Sequence, residues 1–319
     1  MERSLQAADA AIATEGLTKR YGPVVAIDRL SLTVPHGTIY GFLGPNGAGK
    51  TTTIRLLMGF IKPTAGSATI FGHDTWRDGV AARSDLGYLV VADALYPDMS
   101  GEAQLDYAAG LSGRPPVLRK QVLDALELSH DALQRRLGAY SKGMRQKLAL
   151  TAALQHDPAL LILDEPTDGL DPLIQRSFEE LLRSLQRRGR TIFMSSHDLA
   201  EVERTCERVA VVRGGLLVAE ETIEGLREMQ RRRADIRFAG PVPAAIAHVP
   251  GVKVLTQDEH RVELAVDPDV NPLLHFLAGY EVRDFTLTPP RLEDIFMAFY
   301  GSDRQPEPAV AGTEAGTAS

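Results

Sequence analysis

Cysteine is nearly absent from this chain, and so is any long apolar run. Cys206 stands alone among 319 residues, so neither an internal disulfide nor a zinc knuckle of paired cysteines can form, as suits a reducing compartment. Nowhere do the roughly 20 consecutive apolar residues needed to cross a bilayer occur, and stretches such as Leu160 to Leu163 are strand-sized. The opening MERSLQAADAAIA lacks the basic start and apolar core of a secretory signal. Any work at a membrane is therefore expected to pass through a partner. Positive charge is also in short supply: 35 Lys and Arg against 42 Asp and Glu leave −7, which argues against a nonspecific grip on nucleic acid or anionic lipid. The run Arg231-Arg232-Arg233 is too short to change that and reads as a solvated face.

What is present is an ordinary globular composition, 44% hydrophobic and 24% charged, with length for about two domains. Residues 1–10 read as a loose leader. Apolar alternation over Ala11–Leu17 and Leu30–Val34, with a turn at Gly22-Pro23, predicts antiparallel strands. Thr38–Leu43 reads as a short buried strand, followed by a glycine-rich loop and a helix with Ile54, Leu57, Met58 and Ile61 on one face. From about Met99 to Leu154 the periodicity is helical, with Leu105, Ala108 and Leu111 on one face and Val122, Leu123 and Leu126 on another. Strands return at Leu160–Leu163, Thr191–Ser195 and Val209–Arg213, separated by helices. That alternation calls for a largely parallel sheet covered on both faces. A second unit starts near Ala234 and reads strand, helix, strand, strand, helix, strand, the order of a ferredoxin-like unit. A closing helix is expected over Arg291–Tyr300 and a disordered tail over 302–319.

Two motifs carry chemistry. Gly44-Pro45-Asn46-Gly47-Ala48-Gly49-Lys50-Thr51 fits G-x-x-x-x-G-K-[ST] between a strand and a helix. Small residues let successive backbone N–H groups turn inward around a phosphate, while the helix aims its positive end at the same point. Lys50 would reach the β- and γ-phosphates, and the Thr51 hydroxyl would serve Mg²⁺. Thr52, beside it in the first helical turn, completes the expected nucleotide-binding set. Leu160-Leu161-Ile162-Leu163-Asp164-Glu165 is an apolar strand ending in two acids. Asp164 is placed to hold the magnesium shell, and Glu165 to act as general base toward water attacking the γ-phosphate.

With those motifs in place, the chain resembles the ATP-binding subunits of ABC (ATP-binding cassette) transporters. Tyr140-Ser141-Lys142-Gly143-Met144-Arg145-Gln146 looks like the family signature in the variant found in bacterial drug and antibiotic exporters. Gly169-Leu170-Asp171 looks like its D-loop, and Ser195-Ser196-His197-Asp198 like its switch-histidine loop. Tyr21 is similar to the aromatic that stacks on adenine, and Leu292-Glu293-Asp294-Ile295-Phe296 resembles the tail of such exporter subunits. The resemblance implies an α/β P-loop NTPase cassette over 11–225. It would comprise a parallel-sheet core, an antiparallel β subdomain and a helical subdomain at about 93–156, followed by the small α+β unit over 234–301. It implies ATP and Mg²⁺, with Lys50, Glu165 and His197 catalytic. Ser141 and Gly143 would face the phosphate loop of a second copy, or of a related subunit, across an ATP sandwich, with Asp171 acting between subunits. The implied setting is peripheral, on the cytoplasmic face of a membrane, through a separate transmembrane permease that docks around Val91–Pro116. Ser141 also precedes an amphipathic helix and can cap it, as Asp171 can cap the helix after Pro172.

One position departs from the family. A glutamine or glutamate is usual soon after a Gly-Tyr-Leu strand, and here Val91 falls at that place. Either magnesium is held with one fewer protein ligand, or Asp93, two residues on along an extended segment, stands in. Two other readings are weighed against the exporter motor. A soluble ABC protein of translation or repair would carry twin cassettes, heptad insertions or zinc cysteines, and none is present. A nucleotide-sensing subunit with negligible turnover draws support from Val91 and the added C-terminal unit.

Overall fold

The computed structural model describes residues 10–89, 94–228 and 232–288. Strands β1 (Ala10–Tyr21) and β2 (Val24–Pro35) form an antiparallel hairpin turning at Gly22 and Pro23. Ala10, expected at the end of the leader, already pairs with Pro35. Alternation also gives way to continuous burial over Ala10–Thr14. The reason is position: β1 lies between β2 and β4 (Ala65–Ile70), and β5 (His73–Asp74) extends the sheet beyond β4.

The second sheet places the site. Strands β3 (Ile39–Leu43), β6 (Leu86–Tyr88), β7 (Leu160–Asp164), β8 (Thr191–Ser196) and β9 (Arg208–Arg213) run parallel, with antiparallel β10 (Leu216–Thr222) at one edge. The order is β10-β9-β3-β8-β7-β6. Along β7 the pleat sends Leu161 and Leu163 to one core and Leu160 and Ile162 to the other. The first core is closed by α6 (Lys142–Leu154), α7 (Pro172–Arg187) and α8 (Leu199–Thr205). The second is closed by α1 (Lys50–Leu57) together with the β1–β2 sheet. Both faces are thus covered, which is why these strands read as unbroken apolar runs.

The described residues between β6 and β7 are largely helical. There α3 (Gly101–Ser112), α4 (Arg119–Ala125) and α5 (His130–Leu133) gather with α6 around Leu105, Leu133, Leu137, Tyr140 and Leu148. A short α2 (Gly79–Ala82) precedes β6. The expected apolar face of α3 ends early: burial is confined to Gly101, Gln104 and Leu105, while Leu111 is 71% exposed. After β10, α9 (Ile223–Glu228) leads toward the C-terminal unit. In that unit β11 (Arg232–Phe238), β12 (Val252–Gln257), β13 (Arg261–Val266) and β14 (Val282–Thr288) form an antiparallel sheet ordered β12-β13-β11-β14. Its core joins Ile236, Phe238, Leu264 and Leu273, the last from α10 (Asn271–Leu277). The helix expected over Pro243–His248 is a five-residue 3-10 stretch, Ala244–His248, with Pro243 extended at its N-cap, too short for a full α-helical ladder. Val91, Asp93, the closing helix over 291–300 and the tail over 302–319 lie outside the described residues.

An ion pair between loops makes the fold sensitive to acid. Arg190 Nη2 donates to Asp157 Oδ2 at 2.6 Å and Nε to Oδ1 at 3.0 Å. These bonds hold the Asp157 carboxyl below its ordinary range against the opposing push of partial burial. A carboxyl depressed in the folded state stabilises at every pH above its unfolded value, about 3.9, and the contribution is lost as pH falls through the folded value. Arg190→Met is therefore expected to lower Tm by about 2–4 °C at pH 7, with the difference closing as pH approaches about 3 in a calorimetric series.

Candidate active site

The loop from β3 to α1 is shaped by glycine. Gly47 (φ 80°) and Gly49 (φ 107°) occupy the left-handed region. A Cβ on Gly44 would stand 2.4 Å from the Val212 carbonyl oxygen, and one on Gly49 2.5 Å from Ile27 Cδ1. At its two ends the loop is wedged against β9 and β2, with no room for a side chain at Gly44 or Gly49. Gly44 N–H donates to the Ser196 carbonyl at 3.3 Å, and Ala48 N–H closes a turn onto Pro45 O at 3.1 Å. Pro45, Asn46 and Gly47 are left exposed while Ala48 is buried.

Lys50, only 6% exposed, turns back into this cradle. Its Nζ donates to Gly44 O at 2.5 Å and lies 3.1 Å from Glu165 Oε1. Thr51 Oγ1 donates to Asp164 Oδ2 at 2.9 Å, and Ser195 Oγ donates to Asp164 Oδ1 at 2.5 Å. Thr52 follows in the same helical turn, half-buried. Glu165 itself sits at φ 48°, a left-handed conformation that a side-chain-bearing residue adopts at a cost of about 1–3 kcal/mol. The turn is held by Glu165 N–H donating to Ser195 Oγ at 3.0 Å, and by Asp168 N–H donating to the Glu165 carbonyl at 3.2 Å. Glu165 Oε2 then meets His197 Nδ1 at 2.7 Å. One carboxylate thus stands between an ammonium and an imidazole, at the carboxyl ends of adjacent parallel strands, where ligands of α/β sheets sit.

The other expected residues lie elsewhere. Ser141 caps α6 by accepting Met144 N–H at 3.2 Å, and Asp171 caps α7 by accepting from Leu173 and Ile174 N–H at 3.2 and 3.1 Å. A Cβ on Gly143 would meet the Gly169 carbonyl at 2.8 Å, and Lys142 Nζ reaches Asp168 Oδ2 at 2.7 Å, so the signature packs on its own chain's D-loop. Gln146 adds a bond from Nε2 to the Pro166 carbonyl at 2.8 Å. Among the described residues no hydrogen bond or ion pair joins Ser141 or Gly143 to residues 44–51. Tyr21 is half-exposed at the tip of the hairpin that abuts Gly49, with Lys19 Nζ 5.0 Å from its ring centroid.

Motif reasoning left Ser195, Thr167 and Glu201 without roles. The hydroxyl of Ser195 donates to the Asp164 carboxylate and accepts the backbone N–H of Glu165. Glu201, buried on α8, accepts from Ser196 and Thr167. Burial pushes its carboxyl above the ordinary range against those two hydroxyl donors, with Asp198 and Glu165 adding to the rise.

A glycine loop with an enclosed lysine, a threonine hydroxyl and two acids beside it offers the groups that a nucleoside triphosphate needs. A family model described as ABC transporter matches residues 27–168, and one described as ATP-binding protein DrrA1-3-like, C-terminal domain, matches residues 222–300. The daunorubicin resistance ATP-binding protein DrrA3 of Streptomyces coeruleorubidus is 35% identical over 316 residues, spanning 95% of this chain and 100% of that protein. This chain belongs to the ATP-binding subunits of ABC transporters. The bacitracin transport ATP-binding protein BcrA of Bacillus licheniformis is 34% identical to this ABC subunit over 302 residues, covering 91% of this chain and 97% of BcrA. A solved ATP-binding subunit of an ABC transporter superimposes with TM-score 0.63 at 28% identity, covering 68% of this chain and 92% of that one. The chain is accordingly an ABC ATPase, binding ATP and hydrolysing it. No helix among its described residues is long and apolar enough to cross a membrane.

Proposed function

We propose that this ABC subunit is the motor of a membrane exporter, acting as a pair of cassettes on a separate transmembrane permease. The observation that carries the reading is the Lys50–Glu165–His197 contact beside the glycine cradle, with Ser141 and Gly143 unjoined to it in the same chain. Within one copy the signature half-site has no phosphate loop to face, so a second copy supplies one. Lys50 exchanges Glu165 for the β- and γ-phosphates, while backbone N–H groups of residues 46–51 turn toward the same oxygens. Glu165, freed of the ammonium, takes the proton of the attacking water, and His197 keeps that carboxylate oriented and contacts the γ-phosphate. Thr51 and Asp164 offer hard oxygen donors already 2.9 Å apart, suited to Mg²⁺. That ion would neutralise charge on the β- and γ-oxygens. Ser141, Gly143 and the positive end of α6 supply a second anion site to the partner copy, with Asp171 beside it and Tyr21 toward the adenine.

The permease surface is proposed on the helical layer, over the described residues 94–116 of the expected span. Tyr96 and Tyr107 are exposed there, in edge-to-face contact at 5.7 Å, with Leu111 and Val117 also exposed. A patch of this kind on a charged chain fits a partner. Two relatives are named for resistance to, or transport of, an antibiotic, which favours a drug-like cargo and membrane attachment through the permease. The pairing is tested by light scattering of the hydrolysis-slow Glu165→Gln protein: saturating ATP is expected to double its mass, and Ser141→Arg to prevent that. A protein that stays monomeric at saturating ATP overturns the sandwich.

A further inference from the structure

Glu201 has no part in the chemistry set out above, yet it is built into the site's support. It lies on the first half of α8, 4% exposed. Each carboxylate oxygen accepts from a different loop: Ser196 Oγ donates to Oε2 at 2.5 Å, and Thr167 Oγ1 donates to Oε1 at 2.8 Å. Ser196 directly precedes His197, and Thr167 follows Glu165 by two residues. Ser196 Oγ also accepts Asp198 N–H at 2.9 Å, fixing the backbone on the far side of His197. The catalytic turn is thus held at Glu165 by the Ser195 hydroxyl, at the Pro166 carbonyl by Gln146 and at Thr167 by Glu201. Taking a carboxylate out of water costs several kcal/mol, a cost that a solvent-facing acid would escape. We infer that Glu201 is a positioning residue, clamping the turn that presents Glu165 to the loop that presents His197 so that the two side chains meet. Its hydrogen-bond partners, Ser196 and Thr167, are not among the residues assigned to the nucleotide or the metal.

The inference rests on the roles proposed for Glu165 and His197, and the experiment separates the two. Steady-state ATPase is measured on the full chain as a function of ATP. For Glu201→Ala, kcat is expected to fall about tenfold to a hundredfold, as misplacement of a catalytic group by up to about 1 Å does. KM for ATP should stay within about twofold, because the cradle of residues 44–51 is untouched. Glu201→Gln keeps a carbonyl for the Ser196 hydroxyl and an amide that can donate to Thr167 Oγ1, so kcat should return to within about threefold of wild type. Should Glu201→Ala fail to fold, Thr167→Val and Ser196→Ala each delete one hydroxyl with little change of volume. Each is expected to lower kcat without moving KM, and the double variant should be no slower than the slower single one, since either break opens the same clamp. Wild-type kcat in Glu201→Ala or in both hydroxyl variants overturns the clamp, as does a glutamine variant as slow as the alanine one. Glu165→Gln is assayed alongside. Retained turnover there would fail the assignment of Glu165 itself; an inactive Glu165→Gln beside an unaffected Glu201→Ala fails the clamp alone.

Discussion

Glu165→Gln is expected to slow ATP turnover by about a hundredfold to ten-thousandfold, the range for loss of a general base, with ATP still bound. The two effects separate because the side chain has two neighbours with different duties. Lys50 loses a charged partner at 3.1 Å but keeps its bond to the Gly44 carbonyl at 2.5 Å, so the cradle stays in place. The glutamine carbonyl can still accept from Lys50 or from His197, and the backbone at φ 48° is no worse for glutamine than for glutamate. What disappears is the basic oxygen that receives the proton of water. Phosphate release measured beside equilibrium binding of ATP reads both quantities. Turnover within about tenfold of wild type would remove Glu165 from the base role, because general-base catalysis contributes more than that.

The parts of this site that could be read from sequence are those that fold as contiguous segments. Residues 44–51 carry their own strand, turn and helix start, and glycine at positions 44, 47 and 49 states the backbone geometry directly. Asp164 and Glu165 close an apolar strand whose burial on both faces follows from composition alone. Ser195 and Glu201 were not readable in the same way. Ser195 lies 30 residues from Glu165 and its bond depends on β8 lying beside β7. Glu201 sits among Glu203, Arg204 and other polar residues of α8, where a solvated acid is the ordinary expectation. Only tertiary packing shows that it is enclosed. The strand β4, Ala-Gly-Ser-Ala-Thr-Ile, has weak strand-forming composition and exists because β1 offers it an edge. Edge strand β10 is half-buried at every position, so it shows neither alternation nor a continuous apolar run. Leu111 misled in the opposite sense: helical spacing placed it with Leu105, but the face that packs stops after Leu105. An apolar residue left exposed by that mismatch is what marks the proposed permease surface.

Lys50→Ala should separate stability from ligand binding. In the folded chain the ammonium is enclosed and satisfied by Gly44 O and Glu165 Oε1. Removing it leaves a carboxylate that keeps His197 at 2.7 Å and remains partly open to water, so no buried charge is stranded. The thermal midpoint without nucleotide is therefore expected to move by less than about 3 °C, in line with the small value of incompletely buried pairs. The response to ATP should change completely. A ligand at a hundred times its Kd stabilises by about 2.7 kcal/mol, or about 5–10 °C for a domain of this size, and the wild type should show that rise. In Lys50→Ala the charge that meets the β- and γ-phosphates is gone, and truncating one partner of such a contact costs about 2–5 kcal/mol. At the same ATP concentration most of the rise should vanish, and turnover with it. An alanine variant whose midpoint climbs with ATP as the wild type's does would show that the backbone N–H groups and α1 hold the phosphates unaided. Lys50 would then be no more than a brace between the Gly44 carbonyl and Glu165.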